Sequence, residues 1–248
     1  MKRLRNRLAA SAIFLAAFDF PAHAAASQDA AALVRKFERA YRSARTLQAT
    51  FLERYLENGK EVRSEAGVAY FARPGKMRWE YESPEQNLFL IDGKWTWFYV
   101  PADHTVTRVR IKESSDWKTP LALLTGEMKV SRVCRSVKFA ASVQPVNHGG
   151  VVLSCLPRGE KADRENDATP DLPGSSTSAH EVFFELNPLT GELLRILAVD
   201  AGGVQVDFHF ANWRFNPSLQ ESKFHFAPPA GVAIVNGDLA SRNGARSE

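Results

Sequence analysis

Two short turn sequences constrain the fold of this chain more than any other feature. Asn58-Gly59 separates two strand-like runs, and Asp92-Gly93 separates two more. Asn-Gly and Asp-Gly readily adopt the positive φ angles that a two-residue hairpin turn requires. The flanking runs are Leu47–Leu56, Val62–Phe71, Asn87–Ile91 and Lys94–Tyr99. Consecutive strands in this part of the chain are therefore predicted to pair antiparallel.

Strand patterns continue through the rest of the chain. In Val204–Phe210, apolar residues alternate with Gln205, Asp207 and His209, which predicts a strand with one apolar face. The polar, aperiodic segment Arg158–Ala179 is predicted to be a long surface loop. Short strands at such even spacing are typical of an antiparallel barrel or a curled sheet. The other predicted strands are Thr105–Ile111, Met128–Ala140, Val151–Leu156, Glu181–Leu186 and Leu193–Val199.

Two helices are predicted beside these strands. Ser27–Thr46 is amphipathic, with Ser27 as its N-cap and Asp29 in its first turn. Its apolar residues recur at steps of three and four, and they are Ala30, Leu33, Val34, Phe37 and Tyr41. Asp116–Thr125 is a shorter helix candidate. Two helices laid over the concave face of a curled sheet would fill or cover that face.

The N-terminus has the pattern of an export signal. Four cations precede the apolar core Leu8–Phe18, and Ala22-His23-Ala24 fits the small-x-small cleavage rule. The core is too short for a stable membrane anchor. We therefore expect a signal peptide of residues 1–24, a soluble periplasmic domain of residues 25–235 and a flexible polar tail of residues 236–248.

Charge and motif content argue against several functional classes. Cleavage of the signal removes Lys2, Arg3, Arg5, Arg7 and Asp19, which lowers the net charge from +4 to +1. A near-neutral protein offers no electrostatic case for binding nucleic acid. The histidines are scattered, and the sequence contains no His-Glu-x-x-His, Gly-x-Ser-x-Gly or paired metal-ligand spacing. Neither an enzyme nor a metal or cofactor site is predicted.

The two cysteines, Cys134 and Cys155, lie in strand-like runs on either side of a turn at Pro145–Gly150. An even number of cysteines in an oxidising compartment predicts one disulfide. Such a hairpin cross-link would stabilise the fold by roughly 3 kcal/mol in the chain-entropy model. A redox-active pair is less favoured, because the sequence has no Cys-x-x-Cys.

A dense aromatic cluster lies in the middle of the predicted strands. It comprises Trp79, Tyr81, Phe89, Trp95, Trp97, Phe98 and Tyr99. Alternation along a strand would place Trp95, Trp97 and Tyr99 on one face. Two interpretations stay open at this point: an ordinary core, or the lining of an apolar cavity that holds a ligand.

Four motifs occur in order along the chain. They are Phe71–Tyr81 with its Arg73-Pro74, Asp92-Gly93-Lys94 followed by Trp97–Pro101, Thr119–Leu124, and Lys223–Val232. Their order and spacing resemble those of the LolA-type outer-membrane lipoprotein carrier family, over most of the chain from Ser27 to Val232. One departure is Met77, which stands where many relatives carry an aromatic residue.

The resemblance implies a mainly β (α+β) fold, namely an incomplete antiparallel β-barrel with helices forming a lid over an apolar cavity. The cavity would take the acyl chains of lipoproteins released by an inner-membrane ABC transporter. The carrier, expected to be a monomer without a cofactor, would deliver them to an outer-membrane receptor. Two alternatives stay open: a related shuttle for another lipid or lipid-linked product, and an envelope lipoprotein-sensing domain.

The same resemblance assigns roles to individual residues. Arg73 matches the family arginine that hydrogen-bonds to backbone carbonyls of the lid, so it is predicted to be a latch; its guanidinium offers five donors. The residues predicted to line the acyl-chain cavity are Phe37, Tyr41, Tyr70, Met77, Trp79, Leu90, Trp97, Leu121 and Leu124.

Overall fold

The computed structural model describes residues 29–111, 121–125, 129–158, 181–200 and 202–236. These residues form one 12-stranded sheet with the order β12-β6-β5-β4-β3-β2-β1-β11-β10-β9-β8-β7. The strands are β1 Thr46–Glu57, β2 Lys60–Ala72, β3 Lys76–Ser83, β4 Leu88–Ile91, β5 Trp95–Val100, β6 Thr105–Arg110, β7 Cys134–Phe139, β8 Val151–Pro157, β9 Glu181–Leu186, β10 Leu193–Val199, β11 Val204–Phe215 and β12 Ala233–Asn236.

Neighbouring strands of the described sheet pair antiparallel, except for β6 and β12, which are parallel. The turns at Asn58-Gly59 and Asp92-Gly93 join β1 to β2 and β4 to β5. Asn58, Gly59 and Gly93 all have positive φ, as the hairpin prediction required.

The sheet is open, since its order ends at β12 and β7 within the described part of the chain. One cluster of buried side chains draws on strands of both halves of the sheet, from Ile91 in β4 to Leu153 in β8. A sheet can supply both to one cluster only if it curls around them. The predicted fold class, a mainly β incomplete barrel with few helices, is confirmed.

Helix α1, Ala30–Arg42, is shorter at both ends than predicted. Its N-cap is Asp29, whose side chain accepts a hydrogen bond of 2.9 Å from the Ala31 N–H. The predicted cap Ser27 lies outside the described residues. Thr46, the predicted last residue of the helix, instead begins β1. The predicted apolar face is confirmed, because Leu33, Phe37 and Tyr41 are buried.

Two short helices follow β6. Helix α2, Ala122–Thr125, is the described part of the predicted helix Asp116–Thr125, whose first residues lie outside the description. Helix α3, Val130–Val133, occupies the start of the predicted strand Met128–Ala140, so that prediction is wrong for its first half. The reason is tertiary: the Glu38 carboxylate of α1 accepts a hydrogen bond of 2.8 Å from the Val130 N–H, at the first residue of α3.

The C-terminal region contributes a strand that the sequence pattern did not predict. Asn236, placed in the polar tail by sequence, is the last residue of β12, and its side-chain oxygen accepts a 3.0 Å hydrogen bond from Arg108. Residues 237–248, the signal peptide 1–24 and nearly all of the predicted loop Arg158–Ala179 lie outside the described residues. Within the described part, no helix is both long and apolar enough to cross a bilayer.

Cys134 at the start of β7 and Cys155 in β8 are joined by a disulfide, with their Cα atoms 5.4 Å apart. The bond links the two strands that end the sheet opposite β12. Because β7 is an edge strand that pairs only with β8 among the described strands, the cross-link ties this edge to the rest of the sheet.

Candidate apolar binding face

The inner face of the sheet is the face that carries Phe51, Trp79 and Phe210 and packs against α1. Strand register explains which residues it contains, because directly opposed residues share a face. Ala69 of β2 is opposite Trp79 of β3, and Trp79 is opposite Phe89 of β4. All of these residues belong to one buried cluster, which forms the main core of the protein.

Trp79 lies at the centre of an aromatic network on the inner face. It is 1% exposed, and its ring centroid lies 4.7 Å from that of Phe51, 5.3 Å from that of Phe208 and 5.7 Å from that of Phe71. Such edge-on and tilted contacts are favourable beyond the area that they bury. The network gives the inner face a continuous apolar surface that runs from β3 to β11.

Helix α1 covers one end of this surface. The Tyr41 ring packs edge-on against Trp213 with centroids 5.2 Å apart, and its hydroxyl accepts a 2.9 Å hydrogen bond from the Leu193 N–H of β10. Burial of the hydroxyl raises the pKa of Tyr41 well above its ordinary value. Lys36 on the same helix donates a hydrogen bond of 2.8 Å to the Pro188 carbonyl. These bonds hold α1 on the turn between β9 and β10.

Arg73, the predicted latch, lies directly beside the end of α1. Its Nη1 atom donates a hydrogen bond of 2.8 Å to the carbonyl of Arg42, the last residue of the helix. The Nε and Nη2 atoms of Arg73 are buried, and neither has a hydrogen-bond partner among the described residues. Burial lowers the pKa of the Arg73 guanidinium. Within the described part of the chain, the guanidinium thus makes one hydrogen bond to the helix, and two of its nitrogen atoms remain available as donors.

Helix α2 is attached to the same turn. The Gly75 N–H, in the turn between β2 and β3, donates a 3.1 Å hydrogen bond to the Thr125 carbonyl at the end of α2. Leu121 and Leu124 are buried in the main cluster, together with Leu123. Residues 73–75 therefore contact both α1 and α2 through hydrogen bonds to helix carbonyls.

Six of the nine residues predicted to line the cavity come together. They are all buried in the main cluster under the helices: Phe37, Tyr41, Met77, Trp79, Leu121 and Leu124.

The other three, Tyr70, Leu90 and Trp97, do not join them. They lie in a separate cluster with Phe224, on the opposite, outer face of the sheet. Their prediction as cavity residues is wrong because successive side chains of a strand point to opposite faces of the sheet. Tyr70 and Leu90 are both directly opposite Arg78, so they share its face. Met77 and Trp79 are the neighbours of Arg78 in β3, and they point to the other face.

Four aromatic residues on the inner face remain only partly buried: Tyr81, Phe98, Phe208 and Trp213. An apolar ligand can contact side chains of this kind, because they are apolar, pack on the main cluster and keep some exposed area. Phe208 and Trp213 were missed by sequence reasoning as site residues. The alternation in β11 identified the apolar face of Phe208, but not which side of the sheet that face would occupy.

The carboxylate of Glu53 also lies on the inner face, since Glu53 is directly opposite Phe208. The Tyr81 hydroxyl donates a hydrogen bond of 2.9 Å to its Oε2 atom. Burial raises the pKa of Glu53 to about 7, against the lowering effect of this hydrogen bond. The neighbouring Glu65 is paired with Arg63 at 3.2 Å. Nothing in the sequence distinguished Glu53 from the other acidic residues of the strands.

A second polar cluster lies on the outer face around Asp207, which is 1% exposed. Arg195 donates two hydrogen bonds to this carboxylate, at 2.6 and 3.0 Å, and Arg54 donates one at 2.7 Å. Burial by itself would raise the pKa of Asp207, but the hydrogen bonds and charges of His209 and Arg195 bring it far below its ordinary value. The groups are one another's partners, which is typical of a structural ion network.

The described residues contain no group of three or more histidine, cysteine, aspartate or glutamate side chains that could hold a metal ion. The fold and the inner face together define a class of protein: an open β-sheet that presents an apolar surface beneath short helices.

Sequence comparison identifies the family. Residues 42–145 match the family model described as outer membrane lipoprotein carrier protein LolA. An outer-membrane lipoprotein carrier protein of Chromobacterium violaceum is 32% identical over 239 residues, which cover 96% of this chain and 100% of the relative. That of Methylococcus capsulatus is 31% identical over 193 residues, covering 77% of this chain and 82% of the relative. The chain belongs to the outer-membrane lipoprotein carrier family, as its motifs predicted.

Solved structures show a weaker likeness. An uncharacterized conserved protein of Thermus thermophilus aligns with a TM-score of 0.49 and 16% identity, covering 85% of this chain and all of that one. A LolA superfamily protein of Nitrosomonas europaea aligns with a TM-score of 0.40 and 11% identity, covering 81% of this chain and 99% of that one. The family assignment rests on the sequence matches.

Proposed function

We propose that this chain is a soluble periplasmic carrier that binds the acyl chains of lipoproteins released from the inner membrane and delivers them to an outer-membrane receptor. The observation that carries the proposal is the partly buried aromatic surface of the inner face, formed by Tyr81, Phe98, Phe208 and Trp213 beside the main cluster. The carriers of the same family support the choice of an acylated protein as cargo.

The physical problem that such a carrier solves is the transfer of acyl chains through water. Burial of acyl chain is worth about 0.8 kcal/mol per CH₂, so a lipoprotein with two or three chains does not leave a membrane unaided. A carrier has to cover the chains, yet it also has to release them. An apolar face under short helices meets both requirements if the helices can move away from the sheet.

In this proposal the acyl chains enter between the helices and the inner face. They contact residues of both layers, namely Phe37 and Tyr41 of α1, Leu121 and Leu124 near α2, and Met77 and Trp79 of β3. These side chains pack against one another in the structure, so ligand entry requires α1 or α2 to move. Met77 suits an adaptable lining, because methionine is flexible and tolerates changes of shape.

Arg73 is the proposed latch for this movement. Its hydrogen bond to the Arg42 carbonyl holds the end of α1 against the turn between β2 and β3. The hydrogen bond from Gly75 to Thr125 holds α2 at the same place. Opening at this turn breaks these two hydrogen bonds, and the buried Nε and Nη2 donors of Arg73 then pair with other carbonyls as a helix shifts.

The proposed route has two partners besides the lipoprotein itself. An inner-membrane lipoprotein-releasing ABC transporter supplies the cargo, and an outer-membrane lipoprotein receptor accepts it. The carrier works as a monomer, catalyses no reaction and needs no cofactor, since transfer requires only that each successive partner binds the acyl chains more favourably.

The test is to purify the protein from the periplasm and to identify what co-purifies by protein and lipid mass spectrometry. Acylated lipoproteins are the expected cargo. A Phe208→Asp variant, which places a charge on the inner face, should lose them. Val62→Asp is the matched control, because Val62 is 55% exposed and the change should leave the cargo in place. Free lipid without any lipoprotein would contradict the proposal and support a shuttle for another lipid.

A further inference from the structure

Two threonine side chains lie buried on the inner face of the sheet. Thr96 in β5 is directly opposite Ile91 of β4, and Thr107 in β6 is directly opposite Phe98 of β5. Ile91 belongs to the main cluster and Phe98 packs against it, so both threonines share the face that is proposed to contact acyl chains. Thr96 is 0% exposed and Thr107 is 2% exposed. Their hydroxyl groups are therefore kept away from water within an apolar surface.

Neither of these hydroxyl groups is paired. The Oγ1 atoms of Thr96 and Thr107 have no hydrogen-bond partner among the described residues. A buried hydroxyl normally has a partner, because its removal from water without one costs free energy. Thr50 on the outer face shows the usual case, since its hydroxyl donates a 3.1 Å hydrogen bond to the Ala211 carbonyl. Two hydroxyls with unused donors are suited to a ligand that brings an acceptor.

The two hydroxyls are close enough to serve one polar group of a ligand. Thr96 is directly opposite Val109, and Thr107 precedes Val109 by two residues on the same strand. The threonines are therefore diagonal neighbours on adjacent strands, with Cα atoms about 7 Å apart. Phe98, one of the proposed contact residues, follows Thr96 by two residues and is directly opposite Thr107. An acyl chain that lies on Phe98 thus has both hydroxyls beside it.

We propose that Thr96 and Thr107 form a polar subsite that binds the ester carbonyls of a diacylglyceryl group. The inference rests on the proposed function, because it takes the acyl chains to lie on the inner face beside Phe98. A hydroxyl can donate to a carbonyl oxygen, which has two lone pairs and no hydrogen of its own. The subsite therefore favours chains that are attached through esters over chains that are attached through ethers, because an ether lacks the carbonyl oxygen.

The same diacylglyceryl chemistry occurs in two sources, the lipid-modified cysteine of a lipoprotein and a phospholipid. The experiment uses the full mature chain and two N-acetylated lipopeptides, one with an S-dioctanoylglyceryl cysteine and one with two ether-linked octyl chains in its place. A second arm uses dioctanoyl phosphatidylcholine and its dioctyl ether analogue. Affinities are measured by displacement of the apolar fluorophore N-phenyl-1-naphthylamine.

The expected result is that Thr96→Val and Thr107→Val each weaken binding of the ester lipopeptide about fivefold, the loss of one hydrogen bond. Binding of the ether lipopeptide should stay unchanged, because valine has a similar shape and lacks only the hydroxyl. Without ligand, the urea midpoint of either variant should stay the same or rise. The reason is that the change breaks no hydrogen bond and removes an unpaired buried polar group.

Two further sets of variants serve as controls. Thr96→Ser and Thr107→Ser retain the hydroxyl, so they should retain the preference for the ester lipopeptide. Thr50→Val makes the same chemical change as the test variants at a hydroxyl that is paired, with the Ala211 carbonyl. It should therefore lower the urea midpoint and leave the affinities for both lipopeptides unchanged.

Each outcome decides something. Equal weakening of the ester and ether lipopeptides by the valine variants, or no weakening of either, overturns the subsite and leaves the carrier function intact. A lower urea midpoint in both valine variants also overturns it, because the hydroxyls would then have partners within the protein. An effect confined to the phospholipid arm supports the subsite but assigns it to phospholipids. If the wild-type protein binds none of the four ligands, the proposed function fails, and the subsite fails with it.

Discussion

The guanidinium of Arg73 donates a 2.8 Å hydrogen bond to the carbonyl of Arg42, the last residue of α1. This contact joins two segments of the chain that otherwise belong to different layers, the helix and the turn that follows β2. It also satisfies one of the carbonyl groups that a helix leaves without an internal partner at its C-terminus.

Replacing Arg73 by leucine should loosen the end of α1. The change removes one hydrogen bond from a charged donor, and we expect a loss of about 1 kcal/mol in unfolding free energy. The more specific result is faster amide hydrogen exchange in α1, with exchange in β9 and β10 unchanged. The loading of lipoprotein onto the carrier and its release to an acceptor membrane, measured with purified protein, should also change.

Arg45→Leu serves as the control for this variant. Arg45 is an exposed arginine three residues after Arg42, and its hydrogen bonds to other described residues involve its backbone N–H and carbonyl. If Arg73→Leu and Arg45→Leu gave the same exchange rates and the same transfer, Arg73 would lose its assigned role.

Tyr41→Phe should destabilise the protein although it keeps the aromatic ring. The hydroxyl of Tyr41 accepts the hydrogen bond of the Leu193 N–H in a buried environment. Leaving a buried N–H without an acceptor costs about 1 to 3 kcal/mol, which urea unfolding can measure. Tyr99→Phe makes the same chemical change at a partly exposed position on the outer face and should cost much less. Equal losses in the two variants would count against the buried hydrogen bond.

Reduction of the Cys134–Cys155 disulfide should lower stability. The bond closes a loop between residues 21 positions apart. In the chain-entropy model, opening such a loop costs about 3 kcal/mol in unfolding free energy. The unfolded, unreduced protein should resist alkylation at both sulfur atoms. A variant with serine at both Cys134 and Cys155 should have the lower unfolding free energy even without reductant, and dithiothreitol should not lower it further. A further decrease would mean that the reductant acts elsewhere.

The raised pKa of Glu53 predicts a dependence of stability on pH. Burial raises this pKa from 4.5 to about 7, so the folded protein holds a proton that the unfolded chain releases more readily. The contribution of Glu53 is therefore fully present below pH 4.5 and is lost as the pH rises through about 7. We expect the unfolding free energy to fall over this range.

Glu53→Gln should flatten that dependence, as measured by urea unfolding at a series of pH values. Burial also raises the pKa of Glu65, so part of the slope should persist in the variant. The lowered pKa of Asp207 makes the unfolding free energy rise with pH, but only below its ordinary pKa of 3.8. Asp207 therefore does not affect the slope between pH 4.5 and 7. An unaltered slope in Glu53→Gln would show that the carboxylate titrates in the folded protein as it does in the unfolded chain.

Prediction from sequence succeeded where the signal was local. The hairpin turns at Asn58-Gly59 and Asp92-Gly93 are encoded by residues that tolerate positive φ, and both lie where expected. The apolar stripe of α1 repeats at helical spacing, so its buried face was also identified correctly. Helix α3 shows where local signals fail, because its first N–H is bonded to Glu38, a residue far away in sequence.

The candidate site could be predicted only in part. The family motifs led to Arg73 and to six residues of the main cluster. They did not lead to Phe208 or Trp213 of β11, because the resemblance contained no motif in that strand. Glu53 carries no signal at all in the sequence, since its environment is formed by the partners β2 and β11 and by Tyr81 on β3.

What the sequence determined by itself was the type and order of most elements and the family to which the chain belongs. What only the tertiary structure decided was the side of the sheet on which each strand residue lies. Trp79 and Trp97 are equally aromatic and equally strand-like, yet Trp79 lies under the helices and Trp97 packs against the C-terminal segment. Alternation along a strand defines two faces, but only packing against other elements decides which of them becomes the inner face.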